Sequence, residues 1–276
     1  MKPLTFPKLL LALIVCFCVA PVLSAQGFTA RWLARVSATQ AAQPHWMTPV
    51  ATVTPRLEQE FRFDTVHEQK SAGNLTSLGG GKGLELIPSR NTELLINLPP
   101  YLLHQNPKLL DGWGDVSFLM KYRLLSRNEQ HGAAILTVFL GGGIPTGTHQ
   151  NGSISAIVTP TLAAGKGWGK FDVQATLGGN FPVDSLRQLG RTVLSNSAFQ
   201  YHLLKQVWPE VEINSSFWLG GANDGKKQTF LTPGLVLGRF LLHHRIAIVA
   251  GAGFQIATTH YSQYNHAFIG SLRMPF

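Results

Sequence analysis

Residues 171–181 read FDVQATLGGNF. Phe171, Val173, Ala175 and Leu177 fall on one face of an extended chain, and Asp172, Gln174, Thr176 and Asn180 on the other, because strand side chains alternate with a period of two. One face is apolar and the other polar. Further along, Val211, Ile213, Phe217 and Leu219 oppose Glu210, Glu212 and Asn214. Towards the start, Leu57, Phe61 and Phe63 oppose Glu58, Glu60, Arg62 and Asp64. Between them, Val116, Phe118, Met120, Tyr122 and Leu124 oppose Asp115, Ser117, Lys121 and Arg123.

A soluble β-sandwich and a membrane barrel both show this alternation. Composition separates them. Charged residues make up 13% of the chain, against ~25% in ordinary soluble domains. Hydrophobic residues reach 45%, yet beyond the first residues no apolar run approaches the ~18–20 that a spanning helix needs. The polar faces carry both signs of charge, as a wet lumen does. Phe61, Phe63, Tyr122, Phe171, Phe181, Tyr201 and Phe217 stand near expected strand ends, where membrane interfaces collect aromatic residues. The last stretch, 265–276, alternates with Phe268, Leu272, Met274 and Phe276 on one face. The terminal Phe276 resembles the signal read by the barrel-assembly machinery. The expectation is an all-β chain: a closed antiparallel transmembrane β-barrel of about twelve strands, with both termini periplasmic.

The expected strands are 56–66, 83–88, 92–99, 114–125, 133–145, 153–165, 170–181, 193–204, 209–220, 228–240, 244–258 and 265–276. Ser89-Arg90-Asn91 is read as a tight turn, which keeps the count even, as single-chain bacterial barrels prefer. The connections then alternate between short turns, such as 166–169 and 241–243, and longer loops, such as 100–113 and 182–192. Short turns are periplasmic in such barrels and long loops are outside.

Residues 1–25 read as a cleaved signal peptide: Lys2 and Lys8 precede and open an apolar run from Leu9 to Ala20, and Ser24-Ala25 closes it. The expected site is the outer membrane of a Gram-negative-type bacterium. Both cysteines, Cys16 and Cys18, leave with the signal, so the mature chain offers no disulfide and no thiolate. Loss of Lys2 and Lys8 lowers Lys+Arg from 23 to 21 against Asp+Glu 14, a net of +7. That surplus is scattered, which argues against a nucleic-acid partner. Residues 26–55 are expected to form a periplasmic N-terminal extension, with Arg31–Ala42 either a short amphipathic helix carrying Trp32, Leu33 and Val36 on one side or a disordered leader. A plug in the lumen is the alternative.

No metal or cofactor is expected. His243-His244 are adjacent, so on a strand they point to opposite faces, and no His-Glu-x-x-His pattern occurs. His104, His260 and His266 read as loop or strand-mouth histidines. A wall hydrolase would draw on Ser262 or Ser271 with His260 or His266, but no third, orienting group accompanies them, so no enzyme and no catalytic residue is expected. Gly79–Gly83 reads as a flexible outside loop and Gly141–Gly143 as a place of curvature or close packing; neither has phosphate-loop spacing. The polar face supplies the site residues instead: Glu58, Glu60, Arg62, Asp64, Asp115, Lys121, Arg123, Asp172, Glu210 and Glu212 are expected to line the lumen. There they either set selectivity or hold the hydrated interior in shape.

Three segments carry a family resemblance: Trp46-Met47-Thr48-Pro49 with Pro55-Arg56-Leu57-Glu58-Gln59-Glu60-Phe61; Gly112-Trp113-Gly114-Asp115-Val116 through Lys121-Tyr122-Arg123; and Gly142-Gly143-Ile144-Pro145-Thr146-Gly147. Together they resemble an outer-membrane transporter family associated with the meta-cleavage pathway of phenol degradation, over residues 46 to the end. The resemblance implies a monomeric barrel passing small hydrophobic or aromatic molecules, with Asp115, Lys121 and Arg123 in the lumen. The expected partners are outer-membrane lipid, the assembly machinery and a small-molecule substrate. Two further functional classes stand beside the channel: a non-conducting structural or surface-interaction barrel, and the wall hydrolase.

Overall fold

A computed structural model describes residues 27–80 and 82–276; the signal peptide expected at 1–25, with Cys16 and Cys18, lies outside the described residues. Residues 27–41 form helix α1. Fifteen strands follow: β1 (Glu60–Gln69), β2 (Leu75–Leu78), β3 (Gly83–Ser89), β4 (Thr92–Asn97), β5 (Tyr101–His104), β6 (Gly112–Trp113), β7 (Val116–Arg127), β8 (Ala134–Ile144), β9 (Ile157–Trp168), β10 (Phe171–Pro182), β11 (Arg191–Tyr201), β12 (Val207–Leu219), β13 (Lys227–His243), β14 (Ile246–Ala257) and β15 (His266–Pro275).

Twelve of these make the wall, each hydrogen-bonded antiparallel to its neighbour in the order β1-β3-β4-β7-β8-β9-β10-β11-β12-β13-β14-β15. Strand β15 returns to β1 in continuous register, from Glu60 opposite Pro275 to Gln69 opposite His266. Closure gives each of these twelve strands a partner on both sides, which is the condition for carrying strands through a bilayer. No helix among the described residues is long and apolar enough to cross a membrane. The expected closed antiparallel barrel is the fold observed.

Alternation fixes the two faces. Val116, Phe118, Met120, Tyr122 and Leu124 are exposed on the outside of β7, while Lys121 and Arg123 are buried inside. The aromatic residues expected at strand ends sit outward, among them Phe171 in a stack with Trp168 across the β9–β10 turn. Close packing in the glycine run is seen at Gly142, where an added Cβ would lie 2.7 Å from the outward ring of Phe118.

Strands β2, β5 and β6 were not expected from the sequence. They extend the β1, β3, β4 and β7 wall towards the long-loop end: β2 pairs with the second half of β1, β5 with β2, and β6 with β5. The first wall strand also begins later than expected, at Glu60 rather than residue 56. Residues 56–59 stay inside the barrel, where Gln59 Oε1 accepts the Ile87 N–H and Glu93 Oε2 accepts the Glu58 N–H.

Candidate functional site: a plugged lumen

The stretch expected as a periplasmic extension does not trail away from the wall. Helix α1 lies across the short-turn mouth. Arg123 donates to the carbonyl of Thr39, Ser126 to that of Ala42, and Arg245 to that of Leu33 and to Ser37 Oγ. Val36 on the helix packs with Leu57 and Ile87, all fully buried. Leu57 was placed on the outer face by its alternation with Glu58; it lies inside because residues 56–59 have not yet joined the ladder.

From α1, residues 43–59 rise into the lumen, turn near Thr52 and descend to the start of β1. Pro44, Pro49 and Pro55 keep this segment from pairing as a strand. Its backbone groups are nonetheless buried, and a buried N–H or C=O without a partner is costly. Side chains of the wall supply the partners. Glu210 accepts the Val50 N–H (2.9 Å), and Glu212 accepts those of Ala51 (2.7 Å) and Thr52 (2.5 Å), one on each carboxylate oxygen. Arg273 donates to the carbonyls of Thr48 and Pro49, and Arg62 to that of Val50. On the descending limb, Thr137 donates to Pro55 O (2.6 Å) and Lys121 to Arg56 O (3.1 Å). Gln43 closes the base of the hairpin, donating to Leu57 O and accepting from Leu57 N.

Three glycines show the wall shaped around the plug. Gly165 and Gly167 face inward on β9, and an added Cβ would lie 2.6 Å and 2.8 Å from the indole of Trp46. Gly251 on β14 leaves similar room for Val50, at 3.1 Å.

The expected lumen residues divide accordingly. Glu60, Arg62, Asp64, Lys121, Arg123, Asp172, Glu210 and Glu212 are all buried on inward faces of the wall. Arg62 grips Asp64 with Nε at 2.7 and 2.8 Å from the two oxygens, and Lys121 pairs with Glu93 at 2.9 Å. Glu58 is inside but belongs to the plug, paired with Arg56 at 3.1 Å. Asp115 is not in the lumen. It sits between β6 and β7 at the long-loop end and accepts the N–H groups of Thr146, Gly147 and Ser153, tying down the β8–β9 loop. The reason is local: β7 begins only at Val116, so Asp115 escapes the alternation read through it.

Lys82, Glu85, Glu93 and Arg273 are equally buried and escaped the sequence reading. Arg273 and Ser271 alternate with Leu272 and Met274, so a period of two places them inward. The same alternation separates Ser271, inward and hydrogen-bonded by Arg273, from His266, which faces out and stacks on Phe254. His243 and His244 are exposed at the end of β13 and the turn that follows. Among the described residues no group of three or more His, Cys, Asp or Glu is placed to hold a metal.

Above the plug, towards the long loops, the lumen opens into cavities of about 330 and 360 Å³. Val53 at the hairpin tip faces the first, with Asn97, Ser117, Thr159 and Asn180. These are joined side by side, Asn97 Nδ2 to Ser117 Oγ at 2.6 Å and Thr159 Oγ1 to Asn180 Oδ1 at 2.9 Å. A hydrogen-bonding vestibule, with Lys82 lining the first cavity and Asp64 and Glu68 the second, therefore stands over the charged belt that holds the plug.

Fold and site together define a plugged β-barrel of the outer-membrane type. It is similar to the crystal structure of the COG4313 outer membrane channel from Pseudomonas putida F1, with a TM-score of 0.54 and 14% sequence identity over 77% of this chain and 92% of that one. It is also similar to the NanC porin, with a TM-score of 0.52 and 9% identity over 78% of this chain and 98% of that one. No family model matches the sequence, and no curated protein matches it.

Proposed function

We propose that the chain is an outer-membrane channel for passive passage of small molecules, held shut by residues 43–59. One observation carries this reading. The plug is fastened by side-chain contacts to single backbone groups rather than by a strand ladder, beneath the vestibule lined by Asn97, Ser117, Thr159 and Asn180. Contacts of this kind break one at a time. Of the inward charges, Arg62, Lys121, Arg123, Glu210 and Glu212 grip the plug and helix α1 when closed, and together with Glu60, Asp64 and Asp172 they set ion selectivity when it moves. The solved channels of this shape support the reading at the level of fold. The resemblance to the phenol meta-pathway transporters names small hydrophobic or aromatic compounds as cargo. The working unit is a monomer in outer-membrane lipid, with Phe276 as its assembly signal.

The test is single-channel recording in a planar bilayer with the full mature chain, its folding shown by heat-shifted gel mobility. Wild-type protein should give brief, small current steps, and Trp46→Ala larger and longer ones. Silence from both folded proteins would instead favour a sealed structural barrel. The wholly buried Lys121–Glu93 pair beside the plug is the observation that favours that second reading.

A further inference from the structure

The wall is interrupted at one height across three neighbouring strands. Strand β2 ends at Leu78 and β3 begins at Gly83; β4 ends at Asn97 and β5 begins at Tyr101; β6 ends at Trp113 and β7 begins at Val116. In the second gap stand Pro99 and Pro100, which have no N–H to give a ladder. Single bonds stitch the seam: Gly79 N–H to Asp64 O at 2.8 Å, and Gly114 N–H to Pro100 O at 2.7 Å.

On the outside of this seam is a cavity of about 610 Å³, lined by Phe63, Leu78, Gly79, Leu98, Pro99, Tyr101 and Trp113. That size falls within the ~300–1,000 Å³ of small-molecule sites. Among the described residues no charged group lines it. Tyr101 and Trp113 meet edge to face at 5.0 Å, and Phe63 adds a third ring. On the inside of the same seam, Gly80 and Pro100 line the 360 Å³ vestibule cavity together with Asp64, Val66 and Ser77. The partition between the two is the Gly79-Gly80 and Pro99-Pro100 backbone. It tolerates nothing larger: a Cβ on Gly80 would lie 2.7 Å from Pro100 Cβ, and one on Gly114 2.8 Å from Pro100 Cγ.

We propose that this seam is a binding site for a small apolar ring compound of one or two rings, presented to the bilayer on one side and to the vestibule on the other. Three aromatic faces and an uncharged lining select planar apolar rings over ions and sugars. A groove shaped for a lipid chain would follow the strands along the bilayer normal. This cavity lies instead at the ladder break, backed by a second cavity. The site stands whether or not the lumen conducts ions.

The experiment uses the full mature chain in phosphatidylcholine vesicles and the photoactivatable aromatic 3-trifluoromethyl-3-phenyldiazirine, with labelled residues located by mass spectrometry. Label on residues 98–113 should saturate with reagent, and toluene at ten times its dissociation constant should lower it about tenfold. Label elsewhere on the lipid face should rise linearly and ignore toluene. Leu98→Trp, which fills the cavity, should abolish the saturable part, while Ile96→Trp, on the same outer face but not lining the cavity, should keep it. Linear, uncompeted labelling at 98–113 would overturn the proposal and make the seam ordinary lipid-facing surface. Saturable labelling displaced by oleate but not by toluene would also overturn it, giving the cavity to an acyl chain. The wild-type competition alone decides the matter if Leu98→Trp fails to fold.

Discussion

The indole of Trp46 occupies the space that a side chain at position 167 would need: a Cβ on Gly167 would lie 2.8 Å from its Nε1 and 2.9 Å from its Cζ2. The plug and the barrel wall are thus complementary at their base. A strand position that could carry a β-branched residue carries glycine because the partner across it is a chain segment rather than water.

Gly167→Val should therefore push Trp46 off the wall while leaving β9 paired, since valine suits a strand better than glycine does. We expect larger single-channel currents with an unchanged heat-shifted band. Currents identical to wild type would show that the base of the plug does not limit passage.

Glu212 holds the turn of the hairpin through two N–H groups, one on each oxygen. A hydrogen bond to a charged partner is worth about 1.5–3 kcal/mol. Glu212→Gln offers one acceptor where two are needed, so the tip near Thr52 should loosen. Hydrogen exchange at Ala51 and Thr52 should quicken roughly tenfold or more, about 1.4 kcal/mol per decade, with little change in the wall amides.

Lys121 is fully buried between Glu93 and the carbonyl of Arg56. Removing one partner of a buried pair leaves the other charge unpaired, at about 3–5 kcal/mol. Lys121→Met should lower the temperature of the gel-mobility shift, and adding Glu93→Gln should recover much of the loss. A double variant as unstable as the single would assign the effect to the bond with Arg56 instead.

At the foot of the plug, Glu129 in the β7–β8 turn accepts the backbone N–H of His45 at 2.6 Å and contacts its ring Nδ1 at 2.9 Å. Partial burial pushes its carboxyl up, but the His45 hydrogen bonds outweigh this and hold it below the usual glutamate range. A depressed carboxylate contributes above its unfolded value, near ~4.3, and the contribution fades as pH falls through the folded value. Plug motion should accordingly increase only in acid below the ordinary glutamate range. Glu129→Gln should show that motion already at neutral pH, read as current fluctuations. A Glu129→Gln variant that fluctuates no more than wild type at neutral pH would show that this contact does not hold the plug.

The wall is legible because its strands keep a period of two over most of their length, and Asp172, Lys121, Glu210 and Glu212 follow from that alone. The plug is not, because residues 43–56 have no period. They carry three prolines, and no Asp, Glu, Lys or Arg stands between Arg35 and Arg56. That long uncharged run, too polar for a membrane helix and too apolar for a solvated leader, was the available signal. The alternating inward glycines 165, 167, 251 and 253 were its counterpart in the wall. Glu93 and Glu85 are harder to read because their short strands put Leu95 and Ile87 on the same inward face, so neither strand has a cleanly polar side. Residues 100–113 read as one long loop because Pro100 ends a ladder, whereas pairing resumes beyond it at Tyr101.

Residues 43–59 begin and end at the same mouth of the barrel, since Gln43 bonds Leu57 and β1 starts beside the end of β15. The segment is an inserted loop and not a thread. The ring of strands can close with the lumen empty and be stoppered afterwards. On the channel proposed above, such a stopper would be withdrawn and returned without any chain end crossing the membrane, and the backbone ladder of the wall would stay in place.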